Sequence, residues 1–492
     1  MRPDATLLPM EHAPFQQRRR ELAAALGNGL AVIPAAGLHV RNDDVDHAFR
    51  QDSNFFFLTG FEEPDAVAVI NPNHGEERYV LFVRPRDREM ETWNGYRAGV
   101  EGAVSDFGAD AAYPLSDLSA KLREYLLGRD RLFYAMGSSS HDGTVSSALA
   151  QARRFRDRDG RTVPGSVSDP GALLGEMRSR KSDTDIENLR AACDISVEAH
   201  REAMRFTRPG LYEYQVQAAL EYVFRVKGSP RVGYGSIVAS GPNACILHYV
   251  ENTRRMESGD LLLIDAAAEY GYHSSDITRT FPVNGTFTAP QRAIYEVVLA
   301  AHQASLRMAA PGGSIKEIHE TSKRVLTEGL TDLGLLPRGI EDSLAMHHYR
   351  EFFMHGTSHW LGMDVHDAGV YMTPDRAARP LEPSMVFTVE PGLYVDPERP
   401  SVSFSLLEYD HDAWMERRYL LGTEAARKLE AEEKEKAGSV EHPVPAEFRG
   451  IGIRIEDDLL ITAAGHENLT AGVPCTISEV EALCAEQSGL PL

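Results

Sequence analysis

The sequence predicts an α+β chain: an N-terminal α/β domain over residues 1–175, then a larger domain over 176–492 with helices packed on one face of a largely antiparallel sheet. Three observations carry this. At 492 residues the chain is too long for one ordinary core, so two domains are expected. Long amphipathic helical patterns at 290–309 and 315–334 alternate with short apolar strand patterns. The segment LLLIDAAAEYGYHSSDITRTFPV, residues 261–283, reads as a hairpin, two apolar runs flanking a Glu-Tyr-Gly-Tyr break.

Taken in order, residues 1–150 alternate helical patterns near 15–26 and 115–127 with the strands AVAVI and RYVLFV. The charged stretch RRFRDRDGRTVPGSVSDPG (153–171) has the composition of a linker or hinge. Ser182 with Asp185 resembles a capping box and opens a helix whose apolar positions Ile186, Leu189, Cys193 and Val197 recur at helical spacing. Between the candidate strands ending at Glu390 and Glu456 lie some fifty extra residues, including TEAARKLEAEEKEKAGS, a charged helix former without a deep apolar stripe. Residues 396–449 therefore read as a solvent-facing insertion, with a partner-binding arm as the alternative.

Composition narrows the function classes. Hydrophobic residues at 42% with 8% aromatics belong to a globular protein. A formal charge of −22 argues against nucleic acid and anionic membranes as partners. Cys193, Cys245, Cys475 and Cys484 are scattered, which indicates a reducing compartment and no thiolate metal site. Early charges (Arg2, Asp4, Glu11, Arg18–Arg20) break up any export signal, and no stretch approaches the roughly 20 apolar residues of a membrane helix. A soluble cytoplasmic protein is the expectation.

Five residues, Asp265, Asp276, His359, Glu390 and Glu456, sit in segments that read as strand or tight loop, where solvated acids are out of place. If the hairpin folds about Tyr270–Gly271, Asp265 and Asp276 stand directly opposite. Like charges there repel and half-buried carboxylates need a partner; a shared cation meets both needs. In GIGIRIEDDLLIT, Ile451, Ile453 and Ile455 alternate with Gly452, Arg454 and Glu456 at period two. Glu390 ends an apolar run before Pro391, where a strand must stop or bend. His359 lies in FFMHGTSHWLGMDVHDAG with His355 and His366, on loop and short strand. Each residue alone is also readable as a satisfied structural polar group; the five together favour a site. Four carboxylates and one imidazole suit two hard or borderline divalent ions, manganese first, with cobalt and zinc as alternatives. Such a pair holds a bridging hydroxide and polarises a carbonyl, whereas no GxSxG elbow or catalytic cysteine appears. His248, His355, His366 and Arg454 are the further candidates for proton handling and transition-state charge.

These blocks resemble aminopeptidase P, of the pita-bread metallopeptidases that include prolidase and methionine aminopeptidase. LLLIDAAAEYGYHSSDITRTFPVNGTF, FFMHGTSHWLGMDVHDAG, TVEPGLYV and GIGIRIEDD are similar to the family's metal-binding blocks, in its order, and NACILHY to its pocket-histidine block. RQDSNFFFLTGFEEPDAV and ETWNGYRAG resemble the first domain of aminopeptidase P, which methionine aminopeptidases lack. The resemblance implies a pita-bread catalytic domain, helices on a curved and mainly antiparallel sheet. It implies that Asp276 and His359 bind one metal, that Asp265 is bidentate to the other, and that Glu456 bridges both. Glu390 would also bind both and shuttle the proton. His248 and His366 would hydrogen-bond the substrate carbonyl and the tetrahedral intermediate; His355 and Arg454 would lie near the proline and the acids. Tyr234 and Trp93 fall at aromatic pocket positions, with core packing the alternative for each. The implied reaction removes the N-terminal residue from peptides with proline second, in a homodimer or homotetramer. Ser274–Ser275 and the insertion depart from the family pattern. The rivals are a prolidase acting on Xaa-Pro dipeptides, a non-catalytic peptide- or protein-binding module, and a dinuclear phosphoesterase.

Overall fold

The computed structural model describes residues 12–490. Arg2, Asp4 and Glu11, read above against an export signal, lie outside them. The chain divides into a first unit ending at Arg178 and a second beginning at Ser179.

In the first unit, the apolar runs become the centre of a six-stranded mixed sheet. Its order is Ala111–Pro114, Tyr79–Val83, Val67–Ile70, Leu30–Pro34, Arg131–Phe133, Ser166–Ser168. Leu30, Val32, Val67, Val69, Val80 and Phe82 alternate onto one face. There they meet Leu118 and Leu122 of helix Leu118–Tyr125 and Val145, Ala148 and Leu149 of helix Asp142–Asp159. Each fully buried aliphatic side chain contributes about 1.5–3 kcal/mol. The linker reading of 153–171 is corrected here. Its first part continues the Asp142–Asp159 helix, and Ser166–Ser168 is an edge strand, parallel to Arg131–Phe133. Composition alone misleads because one face of a charged helix and a three-residue edge strand need few apolar residues.

The second unit opens with helix Asp183–Phe206, capped by the Ser182–Asp185 box. Leu189 and Cys193 are buried on it; the Cys193 thiol also donates to Asp458 Oδ2 at 3.4 Å. Helices Glu213–Val226, Ala289–Met308 and Ile315–Asp332 complete the layer. Against it lies the sheet, and period two sorts its side chains. Leu262, Ile264, Phe281, Ile451, Ile453 and Ile455 enter the helix-side core. The alternate positions Asp265, Thr278, Thr280, Arg454 and Glu456 point the other way, yet are buried as well.

The hairpin exists, but its register differs from expectation. Leu261–Asp265 pairs with Thr278–Pro282, and Asp265 stands opposite Thr278 rather than Asp276. The turn is centred on Gly271 (φ 54°) and Tyr272 (φ 65°), one residue further along. Two successive positive φ values make the tight mirror-image turn that matches strand twist, and Gly271-Tyr272 supplies it where Tyr270-Gly271 does not. The shift moves the pairing by two residues, so both aspartates keep the same face and become diagonal neighbours.

Strands Val386–Val389 and Gly392–Tyr394 pair with Asp457–Thr462 and Gly452–Arg454 in one unbroken register, interrupted at Glu390–Pro391. Proline has no N–H to donate, and the gap lies across from Ile455–Glu456. Beyond Tyr394 the chain leaves the sheet. Strands Ser401–Ser405 and Ser439–Pro443 pair and carry helices His411–Leu421 and Thr423–Ala437. In the latter, Ala426 is buried and most charged side chains are exposed. Among the described residues no helix is long and apolar enough to cross a membrane.

Gly452 shows how tightly the sheet is covered. A Cβ there would stand 2.2 Å from the Ala244 carbonyl oxygen, in the turn that leads to His248. Gly452→Ala is expected to destabilise the protein by about 1–3 kcal/mol, read as a lower thermal midpoint; an unchanged melt would mean the turn yields without cost.

Candidate metal centre

Strand pairing assembles the site as a row across the sheet. Asp265 lies opposite Thr278; Thr278 bridges to Glu456, whose N–H donates to the Thr278 carbonyl at 3.0 Å. Continuing the register Val389↔Asp457 by one step sets Glu390 across from Glu456. The His359 segment then runs beside the Glu390 strand: Glu390 N–H donates to Thr357 O at 2.8 Å and Thr388 N–H to His359 O at 2.9 Å. Asp276 precedes Thr278 by two residues, on the same face. The five residues thus converge because five backbone segments lie side by side.

The side chains meet accordingly. Donor atoms of Asp276, His359 and Glu456 lie within 4.8 Å of one another. His359 Nε2 is 3.4 Å from Asp276 Oδ2 and 3.7 Å from Glu390 Oε1. Its Nδ1 is 3.1 Å from the Trp360 carbonyl, which takes the Nδ1 proton and leaves Nε2 directed at the acids. Tyr234 OH lies 2.5 Å from Asp276 Oδ1 and also against Asp265, so its single proton is shared between the two carboxylates. Core packing is therefore not the role of Tyr234. Arg454, 4% exposed, donates to Asp265 through Nη2, to Thr278 Oγ1 through Nε (3.0 Å) and to Tyr394 OH through Nη1 (2.9 Å). Thr278 passes its own proton to Glu456 Oε2 at 2.6 Å.

One buried guanidinium does not neutralise this many acids. Burial, then the charges of Asp276, Glu390 and Asp265, push Glu456 well above its usual range. Burial likewise raises Asp265 against the pull of Arg454, and lifts Glu390 to about 7. Burial lowers the charge on His359, but Asp276 and Glu390 outweigh it and hold the imidazole at about 9. Oxygen donors, one oriented imidazole and unrelieved mutual repulsion are a donor set that fits divalent cations.

Of the remaining predicted residues, His355, His366 and His248 fall around this row. His355 Nδ1 lies 3.5 Å from Glu390 Oε2, and its Nε2 is 2.9 Å from Tyr394 OH. Burial and then Arg454 push His355 down to about 3, so it is neutral. The His366 ring stands edge-on to His359, centroids 4.3 Å apart, and burial lowers its pKa. His248 is exposed, just beyond the turn Gly241–Cys245. Trp93 is on helix Arg88–Asn94 of the first unit and is 80% exposed, so core packing is excluded for it.

Three residues escaped the sequence reading. Tyr394 links His355 to Arg454. Thr278 links Arg454 to Glu456. Asp458, wholly buried, accepts the Asp276 backbone N–H at 2.8 Å. Thr278 and Asp458 had a signal, a polar residue in a buried strand beside a ligand. Tyr394 had none, since an aromatic after an apolar run reads as core.

Known proteins resemble this chain along nearly its whole length. Residues 187–463 match metallopeptidase family M24, and residues 15–134 match the aminopeptidase P N-terminal domain. The chain is 41% identical over 472 residues to the Xaa-Pro aminopeptidase of Escherichia coli, covering 95% of this chain and 97% of that one. To the Xaa-Pro aminopeptidase 3 of Homo sapiens it is 31% identical, over 93% and 81%. Among solved structures, aminopeptidase PepP of Pseudomonas aeruginosa superposes with a TM-score of 0.85 at 41% identity, over 97% of this chain and 99% of that one. The zinc-substituted E. coli aminopeptidase P in complex with product gives 0.84 at 40%, over 96% and 98%. With both family matches and full-length identity of this order, the chain belongs to the aminopeptidase P group of metallopeptidase family M24.

Proposed function

We propose that this protein is a metal-dependent Xaa-Pro aminopeptidase, releasing the N-terminal residue from peptides with proline in second position. The observation that carries this is the row of buried, mutually repelling acids with His359 oriented into it. Asp265, Asp276, His359, Glu390 and Glu456 hold two divalent cations, manganese in the cell. When bound, these supply a water activated near neutral pH and an electrophile for the scissile carbonyl.

The chain's own residues do the rest. Glu390, with its carboxyl near 7 in the metal-free site, takes the proton of the attacking water and returns it to the departing proline nitrogen. Like any amide nitrogen, it leaves as an amine only when protonated, so cleavage requires a positioned acid. Arg454 partly offsets the burial that raises the Asp265 carboxyl, and Tyr394 OH holds His355 and Arg454 in place beside Glu390. His248 and His366 bind the peptide carbonyl and the tetrahedral oxygen, and Tyr234 and Trp93 contribute to substrate binding. We further propose a domain boundary at 175/176 with 396–449 as an insertion, cytoplasmic residence, and a homodimer or homotetramer, which light scattering of the purified protein tests.

The deciding experiment is digestion of Xaa-Pro-Yaa tripeptides and matching Xaa-Pro dipeptides by the manganese-loaded protein, read by mass spectrometry. Release of the first residue from the tripeptides is expected; cleavage of dipeptides alone would sink this reading in favour of a prolidase. Tyr394→Phe leaves His355 and Arg454 each short of a partner, a cost of about 1–3 kcal/mol. It should lower kcat/KM roughly ten- to hundredfold, and wild-type kinetics would remove Tyr394 from the site.

A further inference from the structure

Apart from the acidic row, the second unit contains a cavity of about 580 Å³ between the segment around His347–Glu351 and the helices His411–Leu421 and Thr423–Ala437. Its charge runs against that of the chain. The protein carries −22 overall, yet Arg350, Arg427 and Lys434 gather here against Glu351 and Glu430. Both carboxylates are already engaged: Glu430 holds Lys434 at 2.8 Å and Glu351 holds Arg399 at 3.1 Å. Among the described residues neither Arg350 nor Arg427 has a carboxylate partner, so two guanidinium groups remain uncompensated at one cavity.

The wall between them is aromatic and polar. Tyr409 and Trp414 line it, and the His347 ring lies against Tyr409 with centroids 4.2 Å apart. His347 itself adopts φ 55°, a left-handed conformation that non-glycine residues hold only where surroundings impose it. Burial and then the nearby Lys323 and Arg350 keep its pKa down at about 4, which reports the positive local field. His348, 2% exposed, gives its Nε2 proton to Ser405 O at 2.7 Å, leaving Nδ1 as an acceptor without a partner. The Trp414 indole N–H is also unpartnered. Buried polar atoms seldom stay unmatched in a finished site.

We infer that this cavity is a second ligand site, for a small organic phosphate bearing a planar ring, of the size and chemistry of a mononucleotide. Arginine forks match phosphate oxygens in pairs and aromatic faces take a planar ring. The volume lies within the range of roughly 300–1,000 Å³ typical of small-molecule sites. A peptide carboxylate needs one such fork; two guanidinium groups without a carboxylate partner among the described residues suit a dianion better. The site stands apart from the proposed peptidase chemistry and does not depend on it.

Isothermal titration of the manganese-loaded full chain with adenosine monophosphate tests this, with adenosine and inorganic phosphate as comparison probes. One nucleotide per chain is expected, with adenosine at least about tenfold weaker. Arg427→Glu should weaken binding at least about tenfold while peptide hydrolysis without nucleotide stays at the wild-type level, and Arg350→Gln should act the same way if the first variant folds poorly. Asp276→Asn should bind nucleotide as the wild type does. No binding up to roughly 1 mM overturns the inference. So does binding that survives both arginine changes and is lost in Asp276→Asn, which places the phosphate on the acidic row instead.

Discussion

Asp276→Asn is expected to leave a folded protein whose peptide hydrolysis falls by about 10³-fold or more. Charge stabilisation at such a centre is worth several kcal/mol, and each factor of ten in rate is about 1.4 kcal/mol. Asn keeps the shape and the Tyr234 contact but removes one anion from the donor group it forms with His359 and Glu456. In the metal-free protein the same change removes both the repulsion of Asp276 with Asp265, Glu390 and Glu456 and its attraction to His359, so the thermal midpoint should move little. Lost activity together with a nearly unchanged metal-free melt separates a lost ligand from a damaged fold. Lost activity with a lower melt would mean that Asp276 is structural, and retained activity would sink the assignment of the site.

How far the sequence reveals this site depends on what period and punctuation encode. Alternation in GIGIRIEDD identifies which of its residues share a face, and the helix-side core takes Ile451, Ile453 and Ile455 while Arg454 and Glu456 point the other way. Pro391 marks the break in pairing beside Glu390, because a missing N–H is a local property. The hairpin was legible as a hairpin, yet its turn was misplaced by one residue, since Tyr272 at φ 65° is not a residue from which positive φ is read. Register between strands far apart in sequence is not local. Nothing in residues 386–394 says that Glu390 will face Glu456, or that Tyr394 OH will reach both His355 and Arg454. The edge strand Ser166–Ser168 was hidden for the same reason: polar composition reads as linker, while its place beside Arg131–Phe133 is decided by the sheet.

Without metal, the protein should lose stability as pH rises from 7 to 9, and divalent metal should abolish that loss. The window follows from the groups involved. His200, His347 and His355 are held down by burial, to about 4, 4 and 3. Their unfolded counterparts bind protons below about 6.5, so they make stability rise with pH only up to that point and contribute no slope above 7. His359 behaves oppositely: its folded pKa is raised to about 9, so its contribution is complete below the unfolded value and disappears as pH climbs through 9. Glu390, raised to about 7, has its proton-linked stability complete below the usual carboxylate range and loses the remainder near 7. In both cases the folded state binds the extra proton, and stability must fall as protons are withdrawn. The raised imidazole corresponds to on the order of 2–3 kcal/mol, a few degrees in thermal midpoint for a unit of this size. Metal competes for the same sites and binds more tightly as protons leave, so its stabilisation should grow over the same window. Scanning calorimetry at pH 7 and pH 9, with chelator and with manganese, measures both slopes. A metal-free protein whose midpoint is flat or rising over that window would mean that the acids around His359 are not the unrelieved charge cluster from which the metal requirement is argued.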